Sequence, residues 1–204
     1  MNELALIAAA RRGDLDSFNR LILVYQSQVY NLAYRILGEA DAAADAAQEA
    51  FVAAFKGLRA FRGGSFRSWL LRIVTNVCYD ELRRRRRRPA SSLEAMTDAD
   101  LGPDRDGPAL LEPATERPEA AVERAELSRA IQDCLQKLPP EFRAVAILAD
   151  VQGYDYQEIS RVLGKPLGTV KSRLARARLR LRDCLQRFRE LLPAALRLED
   201  EAIP

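Results

Sequence analysis

The chain has 204 residues, 48% of them hydrophobic and 30% charged, a composition of globular proteins rather than of disordered or membrane-embedded ones. That length allows one large domain or two small ones and excludes a large multidomain enzyme. The formal charge is only +3, but it is unevenly placed: residues 1–82 hold 9 basic and 9 acidic side chains, 83–88 hold 6 and none, 89–126 hold 3 and 10, and 127–204 hold 14 and 10.

From the start of the chain, the apolar run Leu4 to Ala10 is too short to span a bilayer, and Asn2 and Glu3 replace the basic start of a signal peptide. These features predict a cytoplasmic protein without membrane insertion. Next, Leu15, Phe18, Leu21, Ile22, Tyr25, Val29, Leu32, Ala33, Ile36 and Leu37 recur at spacings of three and four, predicting one long amphipathic helix or two abutting ones, stopped by Gly38. The alanine-rich stretch from Asp41 to Leu58 predicts a second helix, with Phe51, Val52, Phe55 and Leu58 expected on its buried side. Asp45, Gln48 and Glu49 share its other face. By spacing alone that acidic face is either ordinary solvation or a docking face for a basic partner.

After Arg62-Gly63-Gly64, Ser65 is placed to cap a third helix that buries Phe66, Trp69, Leu70, Ile73, Val74, Val77 and Leu82. Its other face presents Arg67, Arg72, Asn76, Tyr79 and Arg83, leading into the arginine run 83–88. A basic track with polar and aromatic side chains suits single-stranded or distorted nucleic acid, in which a splayed base is stacked while arginines hold the backbone. The loop Arg62 to Phe66 is either a pocket for such a base or a tight interhelical turn.

Five of the ten prolines fall between 89 and 118, with Gly102, Gly107 and most of the acidic excess, which reads as a linker. Beyond it, helices are expected over 119–137, ending at Pro139-Pro140, over 141–150, ending near Gly153, and from Tyr156 to Leu163. Gly164 to Gly168 reads as a turn. A long basic helix follows, capped by Thr169 and ended or kinked by Pro193. No alternating strand pattern occurs, so the fold is expected to be all-α, as two small helical domains joined by a flexible linker.

The last two helices form a helix-turn-helix pattern packed through Ile159, Val162, Leu163, Val170 and Leu174. From Lys165 to Arg189 there are nine basic residues and one acid, Asp183. A helix so charged, second in a helix-turn-helix, suits the major groove and its phosphate rims. Lys171, Ser172, Arg173 and Arg176 are the side chains near enough to its start to reach base edges, while Arg178, Arg180 and Arg182 are expected at phosphates or solvent.

The chain has no His, which removes the commonest general base and the usual zinc ligand. Cys78, Cys134 and Cys184 are fifty or more residues apart and are expected to form neither a disulfide framework nor a metal site. No catalytic residue, metal or cofactor is therefore assigned.

Asp45-Ala46-Ala47-Gln48-Glu49-Ala50-Phe51, then Phe61-Arg62-Gly63-Gly64-Ser65-Phe66-Arg67-Ser68-Trp69-Leu70 through Asn76 and the arginine run, resemble region 2 of bacterial sigma factors of the extracytoplasmic-function (ECF) type. Leu138-Pro139-Pro140-Glu141-Phe142-Arg143, the stretch Gly153 to Leu163, and Gly168 to Arg178 resemble region 4. The resemblance covers roughly residues 5 to 185, in the family's order. It implies a non-enzymatic initiation factor with region 2 over 1–88, a linker over 89–118, region 4 over 119–192 and a short tail over 193–204. It also implies binding to core RNA polymerase (β′ clamp helices and β flap), to promoter DNA and to an anti-sigma factor.

By residue, the resemblance places Asp45, Gln48 and Glu49 on the β′ clamp helices. Arg62, Gly63, Gly64, Ser65 and Phe66 fall in the loop that holds a flipped −10 base, with Arg72, Asn76 and Arg83 contacting the same region. Lys171, Ser172, Arg173 and Arg176 fall on the −35 recognition helix, and the acidic linker would lie along the polymerase's own nucleic-acid path. Ser160, where the family usually has Ala, and the alanines 43, 44, 46 and 47 around the docking face depart from the pattern. Two other classes compete: a stand-alone helix-turn-helix regulator with an N-terminal dimerisation or sensing domain, against which the basic N-terminal helix argues, and a recombinase or nuclease, for which no catalytic cluster can be assembled.

Overall fold

The structure, a computed structural model, describes residues 2–87 and 118–192; Met1, Arg88, the expected linker up to residue 117 and the tail from Pro193 lie outside the described residues. All elements among the described residues are helical. In the N-terminal half, α1 (Glu3–Arg11) starts at Asn2, whose side chain accepts from Ala5 N, and buries Leu6, Ile7 and Ala10. The three-and-four spacing that follows is one helix, α2 (Leu15–Leu37). Asp14 caps it, accepting from Ser17 Oγ at 2.6 Å and Asp16 N at 3.1 Å, bonds that hold its carboxyl below the usual range. Gly38 ends it in the left-handed region at φ +87°, where a Cβ would be strained.

Helix α3 (Ala40–Gly57) turns a different face inward than its large side chains suggest. Ala43, Ala46, Ala47, Ala50 and Ala54 are buried, while Val52 is 48% and Phe55 37% exposed. Alanines let the backbones of neighbouring helices approach closely, so the methyl stripe forms the seam and the larger residues sit at its rim. There Phe55 meets Phe18 with ring centroids 5.0 Å apart. Helix α4 (Phe66–Arg87) packs on α2 and α3. Ser65 Oγ accepts from Ser68 N at 3.1 Å, the cap its position predicts, and Phe61, Phe66 and Trp69 form a ring cluster with centroids 5.2 to 5.8 Å apart.

The C-terminal half contains α5 (Pro118–Gln136), α6 (Pro140–Ala146) widening into a π turn over Ile147–Val151, α7 (Tyr156–Leu163) and α8 (Leu167–Leu185) with a 3-10 turn over Gln186–Leu191. Helix α7 begins with a reciprocal cap: Asp155 accepts from Glu158 N at 2.7 Å and Glu158 from Asp155 N at 3.0 Å. Helix α8 starts two residues before Thr169, because the extended Pro166 takes the cap position. Thr169 therefore lies inside the first turn and caps nothing. The helix also ends before Pro193, as the backbone departs from helical angles at Phe188 (φ −116°).

Cys134 and Cys184 are joined in a disulfide, Cα to Cα 5.8 Å, against the expectation from their spacing. Separation in sequence does not bound separation in space: α5 packs on α8 and brings the two cysteines together. Cys78 stays free and buried, with its thiol pushed up to about 12 by desolvation.

The two halves pack against each other through α2 with α5 and α4 with α7, and one connected cluster of buried apolar side chains runs through both.

Candidate nucleic-acid interface

In the helix-turn-helix, Ile159, Val162, Val170 and Leu174 are buried between α7 and α8. Gly164 makes the turn in the left-handed region at φ +61°. The Ser160 hydroxyl donates to Lys165 O at 2.6 Å across the turn, so the departure from alanine adds a tie rather than loosening the packing. At the start of α8, Lys171, Ser172 and Arg176 are exposed and Arg173 is half-buried. Lys171 Nζ lies 5.9 Å from the Tyr156 ring centroid, and Ser172 Oγ donates to Thr169 O at 3.1 Å. Arg178, further on, is tied to Asp150 at 2.6 Å. Arg182 is paired with Asp183 at 3.4 Å, while Lys171 and Arg176 near the start of the helix stay exposed.

In the N-terminal half, Gly63 and Gly64 both take left-handed backbone, φ +98° and +89°, with open space beside each. Arg62 and Ser65 are exposed beside them, whereas Phe66 is buried in the ring cluster. Phe66 therefore supports the loop from beneath. Arg72, Asn76 and Arg83 are exposed along α4. Tyr79 is half-buried and its hydroxyl is pushed up to about 12 by desolvation, so it is a neutral donor on this face.

The arginine run is less free than its composition suggests. Arg83 pairs with Asp80, and Arg84 with Glu81; Arg85 pairs with Glu81 at 2.7 Å and Glu39 at 2.6 Å. These acids sit three and four residues earlier on the same helix or at the start of α3, so half the run is compensated.

Asp45, Gln48 and Glu49 are all exposed on one face of α3, and Val52 continues it one turn on. Placing Val52 on the buried side hid an apolar member of this face. Spacing also hid a polar network between the halves. Arg35 and Arg143 are each 5% exposed. Arg143 donates to Gln136 Oε1 at 2.5 Å, Gln136 O at 2.7 Å, Leu138 O at 3.0 Å and Ile36 O; burial lowers its pKa to about 10. The only sign in the sequence was an Arg inside an otherwise apolar stretch. Among the described residues no group of His, Cys, Asp and Glu could hold a metal, and no helix is long and apolar enough to cross a membrane.

Fold and site together define a two-part helical DNA-binding protein with a helix-turn-helix at its C-terminal end. Residues 21–88 match the family description Sigma-70 region 2, and residues 128–181 match Sigma-70, region 4. The chain is 37% identical over 182 residues to the RNA polymerase sigma-H factor of Pseudomonas aeruginosa, covering 89% of this chain and 92% of that one. It is 37% identical over 179 residues to the ECF RNA polymerase sigma factor SigE of Mycolicibacterium smegmatis, covering 87% of this chain and 65% of that one. Among solved structures, CnrH in complex with the cytosolic domain of CnrY matches at a TM-score of 0.62 and 25% identity, over 89% of this chain and 95% of that one. The chain belongs to the ECF RNA polymerase sigma factors.

Proposed function

We propose that the protein binds core RNA polymerase, brings it to promoters through −35 and −10 contacts, and helps open them, acting in the cytoplasm through the polymerase's active site and not one of its own. The observation that carries this reading is two sets of exposed cations of different character, one on a helix and one around a glycine loop. The start of α8 offers exposed Lys171, Ser172 and Arg176, with Arg173 beside them, on a rigid helix suited to the major groove. The Gly63-Gly64 loop with Arg62 and Ser65, flanked by Arg72, Asn76 and Arg83, offers open space and cations suited to an unstacked base and its backbone. One protein reading duplex at one end and melted strand at the other is what promoter opening requires.

The exposed face of Asp45, Gln48, Glu49 and Val52 is the docking surface for the β′ clamp helices in this reading, with Val52 supplying apolar contact inside a charged rim. Region 4 meets the β flap. The solved CnrH is in complex with the cytosolic domain of CnrY, and the sigma factor RpoE of Bartonella quintana with the anti-sigma factor NepR; an anti-sigma partner is expected for this chain as well. The test is run-off transcription with purified core polymerase on a library of promoter-sized fragments. Specific transcripts that depend on the added chain are the expected result; core that binds none of the chain and makes none of these transcripts overturns the reading.

A further inference from the structure

Helix α1 supplies no residue to the contacts of the proposed function. Its buried side, Leu6, Ile7 and Ala10, packs on α2, and Tyr25 of α2 donates to Glu3 Oε1 at 2.7 Å. Arg11 and Arg12 are left exposed where the helix ends. The 3-10 turn Leu58–Ala60, which follows α3, packs against α1 and adds a third exposed cation, Arg59. Together with Ala8, these three arginines line a hollow of 330 Å³.

No carboxylate lines this hollow, and none of the three arginines has an ion pair among the described residues. The nearby acids are engaged elsewhere: Glu3 accepts from the Tyr25 hydroxyl, and Asp14 caps α2 by accepting from Ser17 Oγ at 2.6 Å and Asp16 N at 3.1 Å. On α4, by contrast, Arg83, Arg84 and Arg85 each have an acid. The end of a helix favours a cation, which accounts for Arg11. It does not account for a third cation brought there from a separate element. Three like charges converging on one hollow repel one another, and an anion seated among them reverses the sign.

The hollow also adjoins a site already described. Leu58 and Phe61 are buried, Phe61 within the ring cluster, so the chain between them is anchored while Arg59 and Arg62 stay exposed. Three residues of chain reach no more than about 11 Å, which sets Arg59 close to Arg62 at the edge of the Gly63-Gly64 loop. A strand with a base seated in that loop carries a phosphate at every nucleotide on either side of it. We infer that Arg11, Arg12 and Arg59 hold backbone phosphates of the melted strand beside that base. The inference rests on the promoter-reading function above. Contacts of this kind set affinity and salt dependence and carry no sequence information.

The test uses the full chain with core polymerase on a promoter fragment found by run-off transcription, its −10 element left unpaired. Arg11→Ala, Arg12→Ala and Arg59→Ala together remove three exposed side chains and no residue of the docking, −10 or −35 contacts, and circular dichroism should show unchanged helix content. Binding of the fragment should weaken about tenfold, and the fall of log affinity with log salt should become shallower by about 2, at ~0.7 for each single-strand phosphate. Lys at all three positions should restore both, since the contact needs charge rather than a planar fork. Replacing strand phosphates around the −10 element one at a time with uncharged methylphosphonate should weaken wild type at a few adjacent positions and leave the triple Ala variant indifferent at the same ones. A triple Ala variant with the affinity and salt slope of wild type, or one as sensitive as wild type to every methylphosphonate, overturns the inference. So does weaker competition for core with strand affinity intact, which would make the hollow a polymerase contact. Either result leaves the promoter-reading function standing; if wild type itself neither binds the fragment nor transcribes it, that function fails and takes the inference with it.

Discussion

Arg143 and Arg176 show how one residue type serves opposite ends within about ten helical turns of chain. Arg143 is buried and tied to four oxygen acceptors, none of them a carboxylate. Replacing it with Met would leave these acceptors, carbonyls of helix ends among them, short of a donor at a cost of about 2 to 4 kcal/mol, seen as a lower midpoint in chemical denaturation. Lys in its place should recover only part, because an ammonium cannot reproduce the planar fork. Arg176 is exposed, and its removal should leave stability unchanged. Arg176→Ala should instead cost about 1 to 3 kcal/mol in binding a −35 fragment and relax base preference at one position. In a competition assay over variant fragments, uniform weakening across sequences would reassign the side chain to phosphate contact.

At the scale of elements, the helices were largely legible because most of their signals are local. The stripe from Leu15 to Leu37, the stop at Gly38, the Ser65 cap and the bounds of α7 all follow from spacing, turn residues and caps within one helix. Apart from the two ends of α8, where Pro166 takes the cap expected of Thr169 and the helix stops short of Pro193, what failed was decided between helices. The inward face of α3 is chosen by how closely α2 and α4 approach, which favours methyl groups over Val52 and Phe55. The Cys134–Cys184 bond depends on how α5 packs on α8. The hydrogen bonds of Gln132 and Gln136 to Tyr34 O and Arg35 O depend on α2 ending against α5, which no periodicity within α2 reports.

The disulfide closes a loop of 50 residues, for which chain-entropy reasoning gives a stabilisation of about 4 kcal/mol. Mild reduction should therefore lower the melting temperature of the chain, and Cys184→Ser should make the melting insensitive to reductant. Thiol counting checks the pairing. The native, unreduced chain should give almost no reaction, since Cys78 is buried with its thiol raised to about 12. Unfolding without reductant should release Cys78 alone, and reductant should release Cys134 and Cys184 as well.

For the whole molecule, the formal charge of +3 conceals a division of labour. The cations of α8 and the partly compensated basic end of α4 are the DNA faces of the proposed function, and the exposed acidic face on α3, with Val52, is its docking face. Glu49→Arg should weaken competition for core polymerase against another sigma factor, and leave binding of the free chain to a −35 fragment as it was. Normal competition by that variant would remove α3 from the docking surface.

The most direct test of the two-reader account is a footprint of the chain with core polymerase on a promoter fragment, combining nuclease protection with permanganate reactivity. Protection at both the −35 and −10 elements is expected, with reactive, unpaired thymines only near −10. Arg176→Ala should weaken the −35 protection first. Protection of a single site, equally strong without core and without any melted thymine, would contradict the account and mark a stand-alone helix-turn-helix regulator.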